Sequence, residues 1–167
     1  MVSVRFERPR GPGGTWWVME VEIWLRAGTE SSRRFIDRPG VVVELGCEVA
    51  QGGTRAFEFY QAEATAVTVA QGGATFRFYL PPEIVARDRM TSDARFFVVE
   101  LSIQGRVLPL RRENVSANLV QADTLARFRA RVAAEASRNQ GVLLAQPFTP
   151  FASSRGGPPG PTLLPRF

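Results

Sequence analysis

Few side chains in this sequence are of the types that carry out acid–base or nucleophilic chemistry. The 167 residues include no histidine and one cysteine, so the imidazole that most often serves as a general base near neutral pH is missing. Cys47 lies among alternating apolar residues, where a cysteine usually behaves as a small buried hydrophobic residue. Glu83 and Asp88 could form a carboxylate pair, although a helix end and a loop ion pair explain them more simply. We therefore predict no catalytic residue, metal ligand or cofactor, and no enzymatic activity.

Two tryptophans are candidates for a ligand platform. In the segment 15–26, TWWVMEVEIWLR, Trp16 and Trp24 alternate in phase with the glutamates and fall on the outward face of a strand. An exposed pair of indole rings could stack a sugar or bind the apolar surface of a partner. The sequence favours the alternative that the C-terminal helix covers both rings with Leu125 and Phe128, because an amphipathic helix must bury its apolar stripe.

A row of arginines is the third candidate site. All 21 basic residues are arginine, and the formal net charge is +5. Arg127, Arg131 and Arg138 follow one side of the predicted helix and could contact phosphates. Glu135 interrupts the row, and neither interleaved aromatic residues nor a glycine-rich phosphate loop accompany it. We therefore predict a solvated face with internal ion pairs, and only weak, nonspecific anion binding that disappears at moderate salt.

The elements that must position these residues are strands, because apolar and polar residues alternate with period two through about the first 110 positions. About eight short antiparallel strands with no long helix between them predict a mainly β protein, an immunoglobulin-like β-sandwich. The alternation predicts these inward-facing residues: Val2, Val4, Phe6, Trp17, Met19, Val21, Ile23, Leu25, Val41, Val43, Leu45, Cys47, Val49, Phe57, Phe59, Val67, Val69, Phe76, Phe78, Leu80, Phe97, Val99, Leu101 and Ile103.

The pentapeptide Val-Ala-Gln-Gly-Gly occurs twice, at 49–53 and at 69–73. In both copies a glycine pair separates two alternating apolar runs, and such pairs supply the positive φ angles of tight hairpin turns. The similarity ends after about a dozen residues, which is too short for a repeated structural unit. We predict that Gly52-Gly53 and Gly72-Gly73 lie at the tips of two hairpins.

The sequence predicts helical structure in two places, although helical spacing itself appears only at 121–141. The segment 80–93, LPPEIVARDRMTSD, favours one helical turn that crosses between the two sheets, with proline near its start. The segment 121–141 favours a C-terminal helix, which Asp123 or Thr124 would cap and which Asn139 and Gly141 would end. Its apolar stripe consists of Leu125, Phe128, Val132 and Ala136.

The C-terminal segment is rich in proline and glycine. We divide the chain into a sandwich (1–120), the helix with an apolar strap packed on the sandwich (121–151), and a disordered tail (152–167). Apolar residues in such a segment could add to the sheet edge of another protein or dock in its groove. The candidates for this partner-binding role are Phe148, Phe151, Leu163, Leu164 and Phe167.

Four stretches also resemble a known group of proteins: RRFIDRPGVVVELG, FRFYLPPEIVARD, VVELSIQG and NQGVLLAQPFTPF. They are similar to small immunoglobulin-like proteins encoded beside type IV pilus assembly genes in verrucomicrobial bacteria, over roughly residues 1–151. The resemblance implies a scaffolding or adaptor role in envelope or pilus assembly, without catalysis.

Three functions follow, in order of preference. The first is a non-enzymatic interaction or structural module that binds other proteins of an assembly. The second is a carbohydrate-binding module that uses the tryptophans, and the third is a nonspecific nucleic-acid-binding protein.

No apolar run approaches the roughly 18 residues of a membrane span. The N-terminus, MVSVRFERPRGPGG, lacks the apolar core of an export signal, so we expect a cytoplasmic protein as the sequence stands, or a periplasmic or envelope protein if a signal was removed. The oligomeric state is left open.

Overall fold

The computed structural model describes residues 1–25, 35–51, 54–152 and 161–164. In this part of the chain two helices lie at α1 (Pro82–Arg87) and α2 (Ala122–Glu135), with short 3₁₀ turns at Arg112–Asn114, Ala117–Leu119, Ala136–Asn139 and Gln146–Phe148. The strands are β1 (Val2–Glu7), β2 (Arg10–Gly11), β3 (Gly14–Thr15), β4 (Trp17–Leu25), β5 (Phe35–Asp37), β6 (Pro39–Gln51), β7 (Thr54–Thr65), β8 (Thr68–Ala70), β9 (Gly72–Leu80), β10 (Phe96–Ile103), β11 (Arg106–Val107) and β12 (Leu144–Ala145).

Two antiparallel sheets of four strands form the body of the protein. The first has the order β1-β4-β9-β12 and the second the order β11-β10-β6-β7, while β2-β3 and β5-β8 form two small ribbons. The chain passes from β9 in the first sheet to β10 in the second through α1, which begins with proline, as the sequence predicts. The predicted mainly β antiparallel sandwich with one main C-terminal helix is confirmed.

The core lies between the facing sides of the two sheets. Residues of β4, β6 and β9 alternate into it as predicted, and Trp17, Met19 and Phe78 have no exposed surface. Burying a side chain of this size stabilises a fold by roughly 1.5–3 kcal/mol. The predicted inward orientation was wrong for Val67, whose side chain is 43% exposed.

The prediction was also wrong for Phe57 and Phe59, which point away from the core. In β7 the inward residues are instead Tyr60, Ala62 and Ala64. Phe59 belongs to a second apolar cluster on the outer face of the second sheet, and Phe57 packs against it. Both faces of β7 are therefore apolar, and alternation alone does not reveal which face meets the other sheet.

Helix α2 covers that outer face. Phe128, Val132 and Ala136 are buried in the cluster with Phe59, and Leu125 packs against it, so the predicted stripe is confirmed. At Gly46 a Cβ atom would lie 3.1 Å from the Phe128 ring, so the absence of a side chain lets the helix approach the sheet closely.

The predicted helix ends are only half correct. The residue before α2 is Gln121, with no side-chain cap, and Asp123 lies in the first turn, where its charge interacts favourably with the helix dipole. The chain leaves the helical region at Gly141, whose φ of +74° is left-handed, as predicted. Asn139 does not cap the helix from outside but is buried.

The two copies of the doubled pentapeptide differ in structure. Around the first copy, β6 pairs with β7 up to Gln51 and Thr54, which is the predicted hairpin, although Gly52 and Gly53 lie outside the described residues. Around the second copy, β8 pairs with β5 and β9 pairs with β4. The chain changes sheets there, so the predicted hairpin at Gly72-Gly73 is wrong.

Alanine substitutions at the second copy should separate its two glycines. Gly72 has a φ of +117°, whereas Gly73 is not in the left-handed region, and a Cβ there would meet the Trp24 ring at an ordinary 3.7 Å. We expect Gly72→Ala to lower the free energy of unfolding by about 1–2 kcal/mol and the matched control Gly73→Ala to change it by less than about 0.5 kcal/mol. Urea denaturation of both variants measures the difference, and equal midpoints would contradict the strain at Gly72.

Candidate functional site

Cys47 has no chemical role that its surroundings support. It is free and buried in the core, as predicted, and burial together with the charge of Asp88 raises the pKa of its thiol far above the ordinary value. Within the described ranges, no three His, Cys, Asp or Glu side chains come together in a way that could hold a metal ion. No helix in the same ranges is long and apolar enough to cross a membrane.

A buried polar network surrounds Asp88. The Tyr60 hydroxyl donates a hydrogen bond to Asp88 Oδ2, and Arg87 donates from Nε to Oδ1 (2.7 Å) and from Nη2 to Oδ2 (2.8 Å). Burial, and then the Asp88 hydrogen bond and charge, raise the pKa of Tyr60. Asp88 thus joins α1 to β7 in a loop ion pair, as the simpler sequence interpretation holds, while Glu83 lies exposed in the first turn of α1.

Asn139 extends this network to the end of the C-terminal helical region. Its Oδ1 accepts a hydrogen bond from Arg87 (3.0 Å), and its Nδ2 donates to Glu58 Oε2 and to the Phe59 carbonyl, each at 3.0 Å. Three segments that are distant in sequence are therefore fixed to one another by one amide.

Arg129 anchors α2 to the strands beneath it. Its Nη2 lies 3.0 Å from Glu100 Oε2, and its Nε lies 3.4 Å from Glu44 Oε2. Burial raises the pKa of Glu44, although the nearby Arg129 charge acts in the opposite direction. This arginine is not part of the predicted row, and only the position of the helix over β6 and β10 reveals its role.

The predicted arginine row is a solvated face. Arg127, Arg131 and Arg138 are all exposed. Arg131 Nε donates to Glu135 Oε1 at 2.9 Å, four residues along the helix, and its guanidinium carbon lies 4.6 Å from the centre of the Phe59 ring. The internal ion pair agrees with the interpretation that the sequence favours, and such exposed pairs contribute little to stability.

Trp16 is not part of an exposed platform. It is 6% exposed, and the ring of Phe151 covers it edge-on at 5.3 Å. Tyr79 stacks on the same Phe151 ring at 5.1 Å, and the indole Nε1 donates to the Pro12 carbonyl at 3.0 Å. The predicted cover was wrong as well, because the C-terminal strap, and not α2, buries this tryptophan.

Trp24 does lie on an open surface. Its side chain is 49% exposed on the outer face of the first sheet, and one side of its ring lies against Gly73. The Trp24 amide donates to the Met1 carbonyl at 2.9 Å, which brings a second exposed apolar residue to the same place. Leu125 and Phe128 lie on the other sheet, so α2 does not cover Trp24 either.

The candidate partner-binding residues of the C-terminal segment contact their own sandwich at two points. Phe151 covers Trp16, and Leu163 forms an antiparallel bridge with Ala66. Leu164 donates its amide to the Thr65 carbonyl at 2.7 Å, and Val67 donates to the Thr162 carbonyl at 2.8 Å. Residues 161–164 thus lie against a strand edge of the same chain, and the disorder of the tail from 152 stays a prediction. Phe148 is 55% exposed, and Phe167 lies outside the described residues.

A groove that sequence reasoning missed lies beside this bridge, with a volume of about 460 Å³. Two of its lining residues, Ser102 on β10 and Thr65 on β7, lie on either side of Gly40 of β6. A Cβ atom on Gly40 would lie 2.5 Å from Ser102 Oγ, so a side chain at this place would require the Ser102 hydroxyl to move. The remaining lining residues come from the turn after β10 and from the chain near residues 38, 63 and 145, and from the C-terminal segment: Arg38, Glu63, Ala64, Gln104, Gly105, Ala145, Phe148, Leu163 and Leu164.

Comparison with known proteins identifies the fold. No protein-family model and no curated protein sequence matches the chain. A crystal structure of a protein from Akkermansia muciniphila, a verrucomicrobial bacterium, has a similar fold, with a TM-score of 0.66 over 99% of this chain and 93% of that one, at 15% identity. At this identity the similarity shows a shared fold and no shared activity.

Proposed function

We propose that the protein is a non-enzymatic interaction module of a bacterial envelope or pilus-type assembly, and that a partner protein contacts the open face around Trp24. The observation that carries this proposal is the 49% exposure of a tryptophan on a sheet face. Tryptophan is among the residues that most often dominate the energy of protein interfaces. The envelope or pilus setting rests on the resemblance of the four stretches quoted above.

The surroundings of Trp24 match the composition of an interface. Met1, which is 65% exposed, adds apolar surface beside the ring. The next rows of the same face are polar, with Ser3, Glu22 and Thr75 in register across β1, β4 and β9. An apolar centre with a polar rim is the usual arrangement of a protein–protein contact.

Two of the groups that could act as a nucleophile or an acid, Cys47 and Asp88, are engaged in the fold instead. The Cys47 thiol is inside the core, and the Asp88 carboxylate already accepts hydrogen bonds from Tyr60 and Arg87. Their use in packing supports a role in binding. The arginine row could still contribute weak anion binding, since its three side chains are exposed.

Fluorescence quenching and partner capture together test this proposal. In the free protein, acrylamide should quench one of the three tryptophans, because Trp16 and Trp17 are buried, and Trp24→Phe should remove the quenchable fraction. A tagged wild-type chain should capture an envelope protein from the source cell, and Trp24→Ala should lose it by about tenfold or more. The matched control is Phe35→Ala, an aromatic residue that is 58% exposed on β5.

Two results would contradict the proposal. Equal capture by the wild type and by Trp24→Ala would place the interface elsewhere on the molecule. A captured partner that does not protect Trp24 from acrylamide would mean that binding does not cover this face.

A further inference from the structure

We infer that the groove beside the end of β7 binds a neutral saccharide. This function is separate from the partner surface around Trp24, which lies on the outer face of the other sheet. The volume of about 460 Å³ falls within the roughly 300–1,000 Å³ of typical small-molecule sites.

The uncharged polar side chains in the lining of the groove can both donate and accept hydrogen bonds. The hydroxyls of Ser102 and Thr65 and the side-chain amide of Gln104 belong to the lining, and each of these groups can do both. The hydroxyls of a sugar have the same dual character. The described lining residues also carry one formal charge of each sign, on Arg38 and Glu63, so the site as a whole favours a neutral ligand over an anion.

The lining of the groove also includes apolar side chains. Phe148 is 55% exposed and belongs to the lining together with Leu163 and Leu164. A pyranose ring has one face of C–H groups that can pack on an aromatic ring while its hydroxyls reach polar partners. A lining that combines apolar side chains with hydroxyl and amide groups is therefore complementary to a sugar ring.

The backbone around the groove is held in place before any ligand binds. Arg38 has a left-handed φ of +49°. Two backbone hydrogen bonds fix it: the Arg38 amide donates to the Val67 carbonyl (3.0 Å), and the Gln104 amide donates to the Arg38 carbonyl (3.1 Å). Gln104 and Gly105 form a two-residue turn with φ of +52° and +79°, the geometry of a hairpin turn with both central residues left-handed. Strained backbone that surrounding structure enforces is concentrated at functional sites.

Macromolecular ligands fit the groove less well. A peptide strand would pair with the edge at Thr65–Val67, but residues 162–164 of the same chain already pair there. A nucleic acid needs several cations along its backbone, whereas the described lining holds Arg38 beside an acidic residue.

An NMR titration of the full chain tests the inference. Galactose, glucose and N-acetylglucosamine are the neutral probes, and galacturonate is the charged counterpart of galactose. We expect at least one neutral sugar to shift the amide signals of Thr65, Ser102, Gln104 and Gly105 in a saturable way. Phe148→Ala should weaken this binding by roughly tenfold, while Phe35→Ala and Trp24→Ala should leave it unchanged.

Each other outcome would overturn the inference. The absence of saturable shifts with all three sugars at about 50 mM, far above a millimolar dissociation constant, would exclude a neutral saccharide site. Unchanged affinity in Phe148→Ala would place the ligand elsewhere. Tighter binding of galacturonate than of galactose would identify an anion site at Arg38. Because Trp24→Ala tests the partner surface alone, failure of one proposal can be told from failure of the other.

Discussion

Replacing Asn139 with alanine is expected to lower the free energy of unfolding by about 3 kcal/mol. The amide is 2% exposed and takes part in three hydrogen bonds, with Arg87, Glu58 and the Phe59 carbonyl. Removing one partner of a buried hydrogen bond costs about 1–3 kcal/mol, because the other partner loses both its bond and its access to water. The variant should therefore melt roughly 6–12 °C below the wild type, at 2–4 °C per kcal/mol for a chain of this size.

Asn118→Ala is the matched control for this substitution. Asn118 lies exposed in the 3₁₀ turn Ala117–Leu119, so the same change there should shift the melting temperature by less than about 2 °C. Differential scanning calorimetry of the three proteins gives the comparison. Similar melting temperatures for Asn139→Ala and Asn118→Ala would show that the network around Asp88 does not hold α1, β7 and the end of α2 together.

The sequence predicted strands best where one face is buried and the other is polar. In β4 the residues that alternate with Glu20 and Glu22 are all in the core, since any other register would bury the carboxylates. In β7 the neighbouring aromatic residues Phe59 and Tyr60 point to opposite faces of the strand, so both faces must be buried. Which face receives α2 depends on the path of the chain after residue 110, which no local pattern encodes.

The residues of the turns likewise predicted the strand pairing only in part. The same pentapeptide lies at a hairpin in its first copy (49–53) and at a change of sheet in its second copy (69–73). A glycine pair permits a sharp turn but does not determine which strand pairs with the next one. At the second copy, β8 forms its hydrogen bonds with β5 and not with β9. That choice rests on long-range pairing rather than on the turn.

The sites were the least predictable features. Trp16 shares the parity of Trp24, yet Phe151 from the far end of the chain covers one and not the other. The groove is lined by five separate parts of the chain, around Arg38, Thr65, Ser102, Phe148 and Leu163. The signals available in the sequence were a glycine inside an apolar strand and the Gln-Gly pair at 104–105, and neither indicates what the other residues do.

Removal of the C-terminal segment from Gly141 onward is expected to have the largest effect on stability. Leu143 and Ala145 are buried in the core, and β12 pairs with β9. Phe151 covers Trp16 and Tyr79 in a separate apolar cluster. Losing a buried leucine alone costs about 2–5 kcal/mol, and the uncovered aromatic rings and the lost strand pairing add to this, so the shortened chain should lose most of the roughly 5–15 kcal/mol that stabilises a domain.

A second truncation, after Ala152, separates the strap from the rest of the segment. It keeps the pairing of β12 with β9 and the cover of Phe151 on Trp16, and it removes the bridge between Leu163 and Ala66. We expect it to lower the melting temperature by about 2–6 °C, as one or two kcal/mol would, while the truncation before Gly141 should abolish the cooperative transition. Circular dichroism melting of both proteins makes the test. A cooperative transition near the wild-type temperature after loss of residues 141–167 would mean that the sandwich is complete without its strap, and that the cover of Phe151 on Trp16 contributes little to stability.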